Sequence, residues 1–265
     1  MNRLKDKVAI ITGGGRGIGK SAALKFSQEG AKVIVVDINK KTGEKVASEI
    51  TKSGQNALFL PADVSKTKDV KNVFREVQKK YGRLNILYNN ASIYLAGKDG
   101  RIVDIEEDIW DRVIAVNLKS IYLLCKYAIP LMIKSGGGSI INTASSAGVI
   151  GIPNCDAYTA TKGAIIALTR SMAVEYGPKN IRVNCIAPAA IKTPMLGLSN
   201  LDNPNFDEKS FLALRTPLRR YGDPEEIANI AIFLASDESS YINGAIIVAD
   251  GGITINGDLS KIKED

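Results

Sequence analysis

Short runs of apolar, β-branched residues alternate along this chain with longer stretches in which apolar positions recur every three or four residues. Residues 7–11 form one such run, closed by glycines, and "KVIVV" at 32–36 repeats it. Runs of this kind suit strands buried on both faces of a parallel sheet. Residues 56–60, 84–88, 139–142, 181–186 and 245–248 read the same way, while 68–81 and 109–132 carry helical spacing. Strands alternating with helices predict right-handed βαβ units and an α/β fold, a doubly wound parallel sheet flanked by helices on both faces.

Local punctuation sharpens this picture. "GDPEEIANIAIFLAS" at 222–236 predicts a helix with Asp223 as N-cap, Pro224 at the first helical position and Glu226 closing a capping box. Residues 189–215 lose the periodicity, mixing Pro, Asn and Asp with Leu196, Leu198, Leu201, Phe206 and Phe211, and are expected to form a lid over a substrate site. The polar stretch 256–265 reads as a tail, so residues 1–255 are expected to form a single domain.

Composition narrows the chemistry. The 265 residues carry 35 Lys and Arg against 28 Asp and Glu, a net charge of +7. These cations are scattered and no nucleic-acid motif accompanies them, so neither a nucleic-acid nor a membrane partner is expected. Apolar runs such as 8–11 and 121–125 are too short to span a bilayer, and a cytoplasmic protein is expected. Cys125, Cys155 and Cys185 are far apart and lack C-x-x-C spacing, which points away from a disulfide framework or a thiolate metal site. The chain contains no histidine, so a Ser-His-Asp or Cys-His pair cannot be built within it. Any acid or base has to be a carboxylate, Lys, Tyr or Cys.

Two features supply candidates. "ITGGGRGIGKSAA" at 11–23 follows the first strand and opens a helix. In such a turn Gly13 permits the tight bend, Gly17 lets the backbone approach a pyrophosphate, and Gly19 lets the helix pack closely, with free helix N–H groups facing the anion. Asp37 ends the second strand, where a carboxylate accepts hydrogen bonds from adenosine ribose hydroxyls and repels a 2′-phosphate; NAD is therefore expected over NADP, with Arg16, Lys40 and Lys41 as opposing cations. The second feature is "AYTATK" at 157–162, which sets Tyr158 and Lys162 on one helix face at i, i+4.

With these motifs the chain resembles the classical short-chain dehydrogenase/reductase family over most of its length. "TGGGRGIG" at 12–19 is similar to the family's cofactor turn, "DV" at 63–64 to its adenine contact and "NNAS" at 89–92 to its N-N-A-G. "WDRVIAVN" ending at Asn117, "TASSAG" around Ser145, the Tyr158-x-x-x-Lys162 pair and "PAAIKTP" at 188–194 follow in the family's order. The resemblance implies a Rossmann-type fold and a catalytic tetrad of Asn117, Ser145, Tyr158 and Lys162. Tyr158 is then the general acid/base, and its ordinary pKa of about 10 has to be lowered by the Lys162 charge and the nearby nicotinium, by roughly 2–3 units. Ser145, favoured over its neighbour Ser146, holds the substrate oxygen; Lys162 also binds the nicotinamide ribose, and Asn117 holds a water of a proton relay. Gly13, Arg16, Gly17, Ile18, Gly19, Asp37, Asp63, Val64, Asn90, Ala91, Pro188, Ile191 and Thr193 complete the implied cofactor cleft, Thr193 and the Ile191 backbone fixing the carboxamide.

This sequence departs from the family pattern at Ser92 and Ala189, each standing where a glycine is usual and adding a Cβ near the nicotinamide. The resemblance also implies a homotetramer, with helices 109–132 and 157–176 at its interfaces. The expected activity is hydride transfer between nicotinamide and a secondary alcohol, its ketone, or a sugar. A 3-oxoacyl-thioester reductase and a non-catalytic dinucleotide-sensing protein are the competing readings. Asp37 weighs against the first and the intact tetrad against the second.

Overall fold

A computed structural model of the protein describes residues 2–195, 207, 212 and 215–255. Seven parallel strands form one sheet in the order β3-β2-β1-β4-β5-β6-β7. They are β1 (Val8–Thr12), β2 (Lys32–Asp37), β3 (Ala57–Pro61), β4 (Ile86–Asn89), β5 (Gly138–Thr143), β6 (Ile181–Pro188) and β7 (Ile246–Ala249). Each lies within a few residues of a predicted apolar run. The helices described here are α1 (Gly17–Gln28), α2 (Lys40–Lys52), α3 (Thr67–Tyr81), α4 (Glu107–Ile114), α5 (Ser120–Lys134), α6 (Asp156–Tyr176) and α7 (Pro224–Ala235). Glu226 accepts the Asp223 N–H at 2.8 Å, as the predicted capping box requires. Most of the predicted lid and all of the 256–265 tail lie outside the described residues.

Alternate strand residues point to opposite faces, and each face has its own core. Val8, Ile10, Ile34, Val36, Leu87, Ile140 and Val183 pack with apolar residues of α3, α5 and α6. Ala9, Ile11, Val33, Val35, Ile86, Ile141 and Ile186 pack with α1, α2 and α7. Burial on both faces explains why the strands read as unbroken apolar runs rather than as alternating patterns.

The strand order reverses between β1 and β4, leaving a crevice at the carboxyl ends of the strands. Thr12 closes its floor, its hydroxyl accepting the N–H groups of Asn90 and Ala91, both at 3.0 Å, while Asn90 Nδ2 donates to the Thr12 carbonyl.

One predicted element differs. The helix expected over 109–132 is a longer run, α4 and α5 joined by a π-helical turn at Ala115–Lys119 that contains Asn117. The run Glu107–Lys134 spans 28 residues and is apolar enough over one window to cross a membrane, yet 56% of that window is buried in the fold. The run extends two residues beyond the predicted span at each end, through the charged positions Glu107 and Lys134.

Phe26 of α1 and Tyr88 of β4 are fully buried and stack with ring centroids 6.4 Å apart. Phe26→Ala should lower the unfolding free energy by about 3–5 kcal/mol, measured by chemical denaturation.

Candidate active site

Loops at the carboxyl ends of β1 to β6 surround a cavity of about 440 Å³. Of the sequence-predicted residues, Gly13, Arg16, Gly17, Ile18, Asp37, Asp63, Val64, Asn90, Ala91, Ser145, Tyr158, Lys162, Pro188, Ile191 and Thr193 all line it. Gly19 and Asn117 do not, although both shape its walls.

At one end lies the glycine turn. Gly13 and Gly17 have φ of +63° and +53°, a backbone region that side chains disfavour. A Cβ at Gly13 would stand 3.0 Å from the Ala91 Cα, and one at Gly17 would stand 3.2 Å from Thr193 Cγ2. Gly19 plays a different part from the one expected, since a Cβ there would collide with the Gly13 carbonyl inside the turn rather than with the sheet. Helix α1 starts with no side-chain cap at Arg16 and no acidic residue in its first turn. Its N–H groups and positive pole therefore face the cavity without competition from a carboxylate.

Asp37 is buried at the end of β2, with Oδ2 accepting the Gly15 N–H and Oδ1 accepting the Asn39 N–H, both at 2.9 Å. Each oxygen keeps a further lone pair, so the carboxylate can still accept ribose hydroxyls. Burial raises the pKa of Asp63, but hydrogen bonds from the Ser65 hydroxyl and N–H, with Arg112 and Lys66 nearby, hold it below the usual carboxylate range. The tight glycine cradle, an uncapped helix and an oriented carboxylate 22 residues beyond Gly15 fit a dinucleotide lying from β2 towards β5.

At the other end, Tyr158 and Lys162 share a face of α6, with Lys162 Nζ 5.2 Å from the Tyr158 ring centroid. Lys162 is only 2% exposed, and its ammonium donates to the Thr143 carbonyl at the end of β5, 3.0 Å away. Ser145 leads into a short 3₁₀ turn (Ser146–Gly148) and its hydroxyl accepts the Ala147 N–H at 3.2 Å. That turn meets α6 backbone to backbone: a Cβ at Gly148 would stand 2.7 Å from the Lys162 carbonyl carbon. Helix α6 is moored to the sheet by a buried polar chain in which Asn89 Nδ2 donates to Asn142 Oδ1 and Asn142 Nδ2 donates to Thr169 Oγ1.

The electrostatics depart from the sequence expectation. Burial pushes the Tyr158 phenol up to about 12, against the opposing hydrogen bond with Ser145. Burial pushes the Lys162 ammonium down to about 8. In the protein alone desolvation outweighs the neighbouring cation, because both groups share one enclosed site and each charged form has lost its water. The Asn117 side chain also holds the loop after β4. Its Oδ1 accepts the Ile93 N–H at 2.8 Å and its Nδ2 donates to the Ile93 carbonyl at 2.9 Å. Its Nδ2 also reaches Thr161 Oγ1 at 3.4 Å, its Oδ1 keeps a second lone pair, and the π turn takes its main chain out of the ordinary helical register.

After β6, Ile191 bridges Gly222, through hydrogen bonds from Lys192 N to the Gly222 carbonyl and from Gly222 N to the Ala190 carbonyl. These use the peptide groups on either side of Ile191, leaving its own N–H outside the bridge. Sequence reasoning missed Thr143, and it placed residues 93–104 in the substrate pocket without naming Tyr94. The Tyr94 ring packs edge-on against Tyr158 with centroids 5.4 Å apart. A partner that acts through its carbonyl leaves no mark on residue type, and Tyr94 lies in a loop without periodicity.

Comparison with known proteins agrees with this architecture. A family model described as enoyl-(acyl carrier protein) reductase matches residues 13–254. A cyclohexanol dehydrogenase of Acinetobacter sp. (strain SE19) is 39% identical, covering 96% of this chain and 97% of its own. A 3-oxoacyl-[acyl-carrier-protein] reductase of Thermotoga maritima is 41% identical, covering 96% of this chain and all of its own. The crystal structure of levodione reductase superposes with a TM-score of 0.91 at 34% identity, covering 96% of this chain and all of that one. The chain belongs to the short-chain dehydrogenase/reductase family of nicotinamide dinucleotide-dependent oxidoreductases acting on alcohols or ketones.

Proposed function

We propose that this protein is an NAD-dependent dehydrogenase of apolar secondary alcohols and their ketones, with Tyr158 as general acid/base. The observation that carries this reading is the meeting of Tyr158, Lys162 and Ser145 in the same cavity as the glycine turn and Asp37. A nicotinamide dinucleotide, when bound, supplies the acceptor or donor of hydride. Ser145 holds the substrate oxygen, and Tyr158 takes the hydroxyl proton as the alcohol carbon loses its hydride, returning it in the reverse direction. The Lys162 charge favours the ionised phenol and is retained at neutral pH, below its own pKa of about 8. Asn117 fixes Ile93 beside the substrate.

The lining supports an apolar substrate over a sugar, since Ile93, Tyr94, Ala147, Ile152, Cys155 and Met195 line the cavity together with the hydroxyls of Ser92, Ser145 and Ser146. Asp37 supports NAD, since a carboxylate held at the end of β2 repels a 2′-phosphate. The unbroken sheet from Val8 to Ala249 supports one domain for residues 1–255. Three buried free cysteines support a reducing, cytosolic location. Exposed Tyr122, Ile133 and Val174 on α5 and α6, with Tyr241 and Val248 beside the β7 edge, support assembly into a tetramer.

Tyr158→Phe should cut turnover roughly 10²–10⁴-fold while dinucleotide affinity, followed by fluorescence titration, stays within about threefold. Undiminished turnover in that variant would point to a protein that only senses the nucleotide. In the parent enzyme alcohol oxidation requires the ionised phenol and ketone reduction the neutral one. Oxidation rates should therefore rise, and reduction rates fall, as the pH is raised towards about 8, above which Lys162 begins to lose the charge that favours the phenolate. A spectrophotometric screen of secondary alcohols, sugars and 3-oxoacyl thioesters should give its highest kcat/KM with an apolar alcohol, and about tenfold more with NAD than with NADP. Equal or faster turnover with NADP would overturn the cofactor reading. Light scattering should report four chains per particle, and a monomer would refute the assembly.

A further inference from the structure

Helix α6 carries the proposed acid/base in its first turn, and its local start is poorly capped. Cys155, the residue before it, offers no side-chain cap, its thiol being turned to the Ile152 carbonyl at 3.3 Å and to Thr159 Oγ1 at 3.5 Å. The N–H groups of the second and third helical residues, Ala157 and Tyr158, are the ones that a capping side chain would normally satisfy.

They are satisfied from elsewhere in the chain. Asp99, 5% exposed and 58 residues before Ala157, accepts the Ala157 N–H through Oδ1 at 3.1 Å and the Tyr158 N–H through Oδ2 at 2.9 Å. Its own backbone is held by a turn, with the Lys98 and Asp99 N–H groups both donating to the Leu95 carbonyl. Two further bonds fasten this loop to the helix. The Asp156 N–H donates to the Gly100 carbonyl at 3.0 Å, and Asp156 Oδ2 accepts the Ile102 N–H at 2.9 Å. The same loop carries Tyr94, whose ring lies edge-on to Tyr158. Tyr158 is therefore gripped at its backbone by Asp99 and at its ring by Tyr94.

We infer that Asp99 is a positioning residue for Tyr158, a cap supplied by the loop after β4 that sets the phenol against Ser145 and Lys162. The inference rests on the reading of Tyr158 as the acid/base. A carboxylate serves here for two physical reasons. It offers a separate oxygen to each of two parallel N–H groups, and its charge complements the positive helix end. Asparagine offers one such oxygen and would turn a donor towards the second N–H. Proton transfer demands closer placement than binding does, because a displacement of an ångström at the reacting groups removes a large share of the rate while leaving the cofactor cleft untouched.

The test compares Asp99→Ala, Asp99→Asn and Tyr158→Phe in the full-length protein, with circular dichroism to establish folding and fluorescence titration with NAD. Both Asp99 variants should lose tenfold or more in kcat, with substrate KM and NAD affinity changed less than threefold, and the asparagine variant should retain more activity than the alanine variant. The inference is overturned if kcat in a folded Asp99 variant stays within twofold of the parent. It is overturned equally by matching losses in kcat and NAD affinity, or by failure of both variants to fold, each of which makes Asp99 a general support of the fold. Tyr158→Phe keeps the two readings apart: if that variant retains turnover, the acid/base assignment has failed whatever the Asp99 variants do.

Discussion

A buried ammonium group that meets no carboxylate among the described residues is the constraint around which this site is arranged. Lys162 is 2% exposed, and its ammonium donates to the Thr143 carbonyl. A lysine held at a pKa of about 8 rather than its usual value costs the folded state about 3 kcal/mol at neutral pH. The sign follows from the lowered folded-state pKa: the cost is fully present below about pH 8 and fades as the pH rises towards the unfolded value. Local destabilisation of this size persists only where the surroundings hold the group in place. Here they include the end of β5, the Ser146–Gly148 turn pressed against α6, and the Asn89–Asn142–Thr169 chain that moors the helix.

The same enclosure explains why Tyr158 and Lys162 are displaced in opposite directions from their ordinary values. Burial disfavours the charged form of each because that form has lost its water, and each charged form would stabilise the other. A site of this kind resists ionisation until further charge or hydrogen bonding enters it. In the proposed mechanism this would couple proton transfer to occupation of the cleft, which a solvent-exposed tyrosine and lysine at the same spacing would not do.

The sheet determines how far apart the two halves of the site lie. Reversal of strand order between β1 and β4 opens the crevice, and successive strands deliver the glycine turn, Asp37, Asn90, Ser145 and Pro188 to one edge. Rigid strands fix these positions within the reach of a single extended ligand, while the loops between them are left to shape the substrate end. The π turn at Asn117 and the Ile93 contact show this division of labour, since a helix irregularity is used to hold the loop that follows β4.

Residue order was enough to indicate the seven strands and the doubly wound class, and the family resemblance it carries implied site residues of which all but Gly19 and Asn117 line the cavity. Apolar runs and glycine spacing are local signals, and burial on both faces of a parallel sheet writes itself directly into composition. The absence of histidine also restricted the acid/base to a few residue types. What tertiary structure alone decided were the relations between distant segments. Spacing placed Lys162 beside Tyr158 but could not show that desolvation prevails over their attraction, which depends on how completely the fold encloses both. It showed Asn117 in a helix but not the π turn, nor that its amide holds Ile93. Thr143 acts through a carbonyl that every residue possesses, and Asp99 reaches Tyr158 across 59 positions of chain, from a loop whose own sequence carries no periodic signal.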